Sequence, residues 1–166
     1  MKNGNFAMPR TTLVRAQADA AEAMIDRIAI GIAGYGGDGA AFPLSLNVAR
    51  LGNILRIQFS LADRHLYPFM IHSGQRETAR IAREFQGEIC HFGKRLDRFI
   101  QRWSSSSAIA RDIGHFRCEA EALLTHLRHR LQRERRDLYP LADALANSVF
   151  KSDNDDMRRQ RAGGMH

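Results

Sequence analysis

The chain has 166 residues, of which 44% are hydrophobic, enough for one globular domain with a sizeable core. Its net charge of +7 favours nucleic acid, anionic membrane or an acidic protein face as partners; a solvated basic surface explains the same charge with no partner at all. No apolar run approaches the roughly 20 residues that span a bilayer, and Met1–Arg10 lacks the apolar centre of a signal peptide, so a cytoplasmic protein is expected.

In chain order, residues 1–10 read as a flexible N-terminal lead. Pro9, Thr11 and Thr12 suit a helix start, because a threonine oxygen can accept from free backbone N–H groups. A first helix follows over Leu13 to about Ile32, with Val14, Met24, Ile25, Ile28 and Ile32 on its apolar side. The segment GYGGDGA ends it. Its glycine density resembles a phosphate loop, but the Gly-Lys-Ser/Thr ending and a preceding strand are missing, so residues 34–39 are expected to form a loop.

A second helix is predicted over Leu44 to His72, with Leu51, Leu55, Gln58, Phe59, Ala62 and Leu66 at helical spacing. Pro68 is expected to end or kink it. Gln75–Trp103 forms a third, striped by Phe85, Phe92, Leu96, Phe99 and Trp103. Ser104–Ser107 connects it to a fourth, capped by Asp112 and running from Ile113 to Asp137. A short closing helix is expected over Leu141–Val149, and residues 151–166 read as a flexible basic tail. Cys90 and Cys118 fall in predicted helices without CxxC spacing and are expected to be buried, reduced thiols. Four long amphipathic helices with short connections predict an all-α, up-down-up-down four-helix bundle over residues 11–150.

One repeat organises the chain. RIQFSLADRHLYPFM (Arg56–Met70) and RHRLQRERRDLYPLA (Arg128–Ala142) share Arg56/Arg128, Arg64/Arg136, Leu66/Leu138, Tyr67/Tyr139 and Pro68/Pro140. A duplicated helix end predicts halves related by a pseudo-two-fold axis.

LADRHLYPFM, ERRDLYPLAD and the third helix AREFQGEICHFGKRLDRFIQRW resemble the hemerythrin family, the bacterial HHE cation-binding proteins, from about Thr11 to Ala146. The resemblance implies a bundle whose imidazoles and carboxylates hold two irons that bind or sense oxygen. The family's pattern is His-x-x-x-Glu, with the Pro of Leu-Tyr-Pro six residues later. Counting back from Pro140 puts the His position at Arg130 and the Glu position at Glu134. Counting back from Pro68 puts them at Gln58 and Ala62, and the His of the first helix falls near Ala18. Only Glu134 keeps a ligand. Alanine has no donor atom, and a permanently protonated guanidinium repels a cation. The resemblance therefore implies a degenerate metal centre with no cofactor. Arg130 and Glu134 share a helix face; they form either an inward pair standing where the irons would be, with Gln58 beside it, or an ordinary surface ion pair.

Other constellations are weaker. Glu88-x-x-His91 has the spacing of di-iron bundles, but no second copy exists. A displaced site would have to combine Glu84, Glu88, His91, His126 and Glu134 across helices. His115 with Glu119 and His126 with His129 each offer only two donors. His65 and His72 read as surface residues. No nucleophile–base–acid set is visible, so no enzyme is expected. Arg64, Arg128, Arg133, Arg135 and Arg136 are expected to form one basic patch near the two Leu-Tyr-Pro ends, either solvated or facing an acidic partner. The expected role is a non-enzymatic regulatory or protein-interaction module with an acidic protein partner or self-association. The alternatives are a di-iron oxygen or redox sensor with a shifted ligand set, or a basic protein associated with nucleic acid.

Overall fold

The computed structural model describes residues 11–163, and all secondary structure among them is helical. The expected flexible lead over residues 1–10 and the last three residues of the tail lie outside the described residues. Helix α1 is Thr11–Ala33. A tight 3-10 turn (Asp38–Ala40) leads into α2 (Ala41–Leu61), which passes through a π-helical segment (Ala62–Leu66) into α3 (Tyr67–Ile71). Then come α4 (Arg76–Trp103), the short α5 (Ser106–Arg111) and α6 (Ile113–Arg133). A second π-helical segment (Glu134–Leu138) joins α6 to α7 (Tyr139–Gly163).

Side-chain pairs fix the topology. Gly31 sits against Leu44, Arg56 meets Asp97, Arg130 meets Glu88, and Arg128 meets Asp26. Along every seam the partner numbers run in opposite directions, as in Gln86–Asp63 and Arg135–Asp19. The rods α1, α2–α3, α4 and α6–α7 are therefore antiparallel neighbours that close a four-helix bundle.

The expected apolar stripes are the buried ones. Val14, Met24, Ile25, Ile28 and Ile32 of α1, and Phe116, Leu123, Leu124, Leu127 and Leu131 of α6, all face the core. Close packing leaves little slack. A Cβ on Gly52 would stand 2.3 Å from Ile100 Cδ1 and 3.2 Å from its Cγ1. Gly52→Ala should therefore lower stability by roughly 1–2 kcal/mol through overpacking, despite its better helix propensity. Urea denaturation would read the effect as a lower midpoint at unchanged slope.

Several expectations are corrected. The second helix runs through Pro68 to Ile71, close to the expected His72, so of the two expected effects of Pro68, ending the helix is the one that does not occur. A proline has no N–H to donate, and its ring crowds the carbonyl four residues earlier. The wider π turn relieves both problems: Tyr67 N–H bonds back to Ala62 O, five residues away. The repeat reproduces this device, with Tyr139 N–H bonding to Glu134 O before Pro140. The closing helix likewise runs past Val149 to Gly163. Part of the serine connector is helical, because Ser105 caps α5 by accepting from Ala108 N–H. Cys90 and Cys118 are exposed, not buried. Asp112 does cap α6, accepting from the His115 N–H at 3.1 Å.

The core has two apolar clusters, and on every rod the change between them falls at one level. It lies between Val14 and Ala18, Phe59 and Ala62, Phe85 and Phe92, and Leu131 and Leu138. Buried polar side chains from α2 and from α6 with its π segment occupy that level.

A buried arginine in the ligand layer

Gln58, Arg130 and Glu134 occupy the level between the clusters, each at most 3% exposed. The helical offset of four puts Arg130 and Glu134 on one face, and the π segment that begins at Glu134 keeps that carboxylate turned inward. The inward alternative is therefore the observed one. Arg130 Nε lies 3.1 Å from Glu134 Oε1, an ion-pair contact whose N–H direction misses a hydrogen bond. Arg130 Nη1 donates to Glu88 Oε2 at 2.8 Å. Its Nη2 donates to the Tyr67 hydroxyl at 3.1 Å and to Phe85 O at 3.2 Å. The guanidinium also stands 5.4 Å from the centre of the Phe85 ring.

Glu134 Oε2 accepts from Gln58 Nε2 at 2.9 Å and from the Tyr139 hydroxyl at 2.8 Å. Burial pushes the Glu134 carboxyl above its usual range, opposed by the adjacent Arg130 charge and the Tyr139 hydrogen bond. Burial also raises both tyrosine hydroxyls well above their ordinary value; the negative Glu134 pushes Tyr139 further in that direction, while Arg130 acts against the rise at Tyr67. Both tyrosines thus stay neutral, Tyr139 as donor to a carboxylate and Tyr67 as acceptor from a guanidinium.

Sequence reasoning placed Gln58, Arg130 and Glu134 together but missed Tyr67 and Tyr139, which it read only as helix-end markers. The signal was their equivalence in the repeat: two tyrosines held at matching positions beside one polar layer. Glu88 also belongs here, as the outer partner of Arg130 and, at 2.7 Å, of Arg133. Ala18 and Ala62 are buried at the same level and bring only methyl groups.

A family model, the hemerythrin HHE cation-binding domain, matches residues 11–142. The chain belongs to this family. Neither a curated protein nor a solved structure matches it. The resemblance implies iron ligands at the positions of Ala18, Gln58, Ala62, Arg130 and Glu134, and this donor set does not fit such a centre. It offers the Glu134 carboxylate already accepting from two donors, the Glu88 carboxylate already holding Arg130 and Arg133, one amide, two neutral tyrosine hydroxyls and a guanidinium that cannot lose its proton. Among the described residues no group of three or more His, Cys, Asp or Glu side chains is placed to hold a metal ion.

The displaced ligand set is brought together only in part: Glu88, His91 and His126 line one surface cavity with Arg95 and Arg133, without forming a group placed to hold a metal ion. Glu134 is buried behind Arg130, Glu84 and Glu88 are engaged by Arg133, and His126 stacks on Phe92 at 5.4 Å. His91 is exposed, with Nδ1 3.4 Å from the carbonyl of Gly87. Glu119 turns away from His115 to accept from Trp103 Nε1 and Arg102, both at 2.7 Å. His65 and His72 are on the surface, as expected.

The single basic patch is corrected as well. Arg128 pairs with Asp26 at 2.6 Å, Arg135 with Glu22 at 2.9 Å, and Arg136 with its neighbour Asp137 at 2.7 Å. Arg133 turns to α4, where Glu84 and Glu88 hold it. Arg128 and Arg135, seven residues apart, face the α1 seam, Arg133 faces α4, and Arg136 pairs only with the adjacent Asp137. Three of the five thus bind one helix of the bundle to another. Arg64 alone of the five is exposed without an ion pair among the described residues.

Proposed function

We propose that this chain is a non-enzymatic, cytoplasmic regulatory or protein-interaction module: a hemerythrin-family bundle that keeps the family's shape without its di-iron chemistry. The supporting observation is Arg130, 2% exposed and paired with Glu134 at the family's ligand level. A cationic side chain with that many internal partners fills the space and charge role that a metal centre would take. No helix among the described residues is long and apolar enough to cross a membrane.

Quantitative affinity purification from the native cells tests it. A defined protein recovered in near-stoichiometric amount with iron-free chain is the expected result. Iron-loaded chain with an oxygen-dependent visible band, and no stoichiometric partner, would contradict it. A prior control is the salt response: a nucleic-acid role would show as association that weakens steeply with salt.

A further inference from the structure

Two cavities open along the seam between α4 and α6, of about 520 Å³ and about 540 Å³. Both fall inside the range of roughly 300–1,000 Å³ that holds small molecules. They meet at Arg95, which lines each of them, and so form one groove. Its inner end lies at the ligand layer, at Arg130 and Glu88. Its other end lies toward the C-terminus of α4, at Arg102 and Glu119.

The groove has an apolar floor and basic walls. Phe92 and Leu123 are buried and line it from below. On α4, His91, Arg95 and Arg98 follow at spacings of four and three, so they share one face. On α6, His126 and His129 are three apart and line the same cavity as His91. His126 lies against Phe92, with ring centres 5.4 Å apart and planes 15° from parallel, which holds that imidazole in place.

Charge decides what the groove accepts. Two carboxylates line it, one at each end, and both are engaged. Glu88 accepts from Arg130 and Arg133, and Glu119 accepts from Arg102 and from Trp103 Nε1. Among the described residues, Arg95 and Arg98 have no carboxylate partner, and His126 and His129 have no hydrogen bond within the protein. The middle of the groove therefore gathers two guanidinium groups and three imidazoles with no uncommitted carboxylate in its lining. A cation does not suit it, since the arginines repel one and no metal-holding group converges among the described residues.

We infer that this groove binds a small phosphorylated molecule, with its phosphate oxygens at Arg95 and Arg98 and the imidazoles of His91, His126 and His129 around them. A guanidinium fork holds two oxygens of an anion at once. One fork uses up a carboxylate, whereas a phosphate group has three acceptor oxygens and can take donors from both helices. Seven helical steps from His91 to Arg98 span about 10 Å. That is the reach of a small molecule, and far short of the run of phosphates that a nucleic-acid surface neutralises. The inference rests on neither the iron question nor the regulatory reading.

Isothermal titration calorimetry of the full chain with inorganic pyrophosphate, in about 0.15 M chloride, tests it. Saturable binding of one pyrophosphate per chain is expected. Arg95→Gln should weaken it about tenfold or more, and His129→Gln should weaken it in the same direction, with helical circular dichroism retained. Arg64→Gln removes the same charge from an exposed position outside the groove and should leave the affinity unchanged. Citrate, a carboxylate anion, should bind more weakly than pyrophosphate. No saturable binding to the wild type, an equal loss in Arg64→Gln, or citrate binding as tightly would overturn the proposal. Should Arg95→Gln fold poorly, Arg98→Gln, at an exposed position of the same face, gives the same readout.

Discussion

Glu134→Ala is expected to destabilise the bundle by roughly 3–5 kcal/mol, the range for removing one partner of a buried pair. The variant leaves the Arg130 guanidinium 2% exposed with its nearest carboxylate gone, and strips the Tyr139 hydroxyl and Gln58 Nε2 of their acceptor. An exposed carboxylate supplies the comparison. Glu77 pairs only with Arg80 on its own helix, and Glu77→Ala should cost far less than Glu134→Ala. Thermal and urea unfolding of the two variants side by side measures the contrast. Equal, small losses would mean that the ligand-layer pair contributes no more than a surface bridge. Replacing Arg130 and Glu134 together by leucine or methionine should cost less than the Glu134→Ala single variant, since buried pairs often exchange for apolar residues with little loss.

The second large effect is alkaline unfolding. Tyr67 and Tyr139 are buried, and their hydroxyls are held well above the ordinary value near 10. Above that ordinary value the unfolded chain loses these two protons while the folded chain keeps them. The folded state then binds more protons, so stability falls as pH rises. Each tyrosine contributes up to about 1.4 kcal/mol per pH unit while this difference lasts, or roughly 3 kcal/mol per unit for both. Tyrosinate absorbance from two of the three tyrosines should therefore appear together with loss of helical circular dichroism. Tyr139→Phe should flatten the alkaline slope by one proton. Tyrosinate formation for all three in a still-folded chain would contradict the burial argument.

How much of this was legible in the sequence differs by level. The helices were visible because their apolar residues recur at helical spacing and the resulting stripes are the buried ones. The Arg130–Glu134–Gln58 cluster was also legible, because the repeat and the family's spacing fixed three positions on two helices. The π segments were not. Periodicity alone cannot show that a proline is absorbed by a wider turn rather than ending a helix. The tyrosines were missed for a related reason, since a residue read as the end of a helix is not examined as part of the core. The basic patch failed on geometry: a run of arginines in sequence points in all directions around a helix, and Asp19, Glu22, Asp26, Glu84 and Glu88 on α1 and α4 were waiting for them.

The two π segments connect these observations. They begin at Ala62 and Glu134, the two positions where the family pattern has glutamate. The backbone device is retained in both halves, yet one half has lost its side chain and the other has turned it into an arginine's counter-ion. Packing and chemistry have separated: the leucines and tyrosines of the repeat still close the end of the bundle, while the atoms that would hold a cation are gone or engaged.

The most direct measurement is metal content per chain, on protein purified with and without oxygen, with the visible spectrum recorded alongside. The account predicts a folded helical protein with no stoichiometric iron and no charge-transfer band under either condition. Near two irons per chain with an oxygen-dependent band would contradict it, because such a centre requires Arg130 to leave the layer in which it is buried.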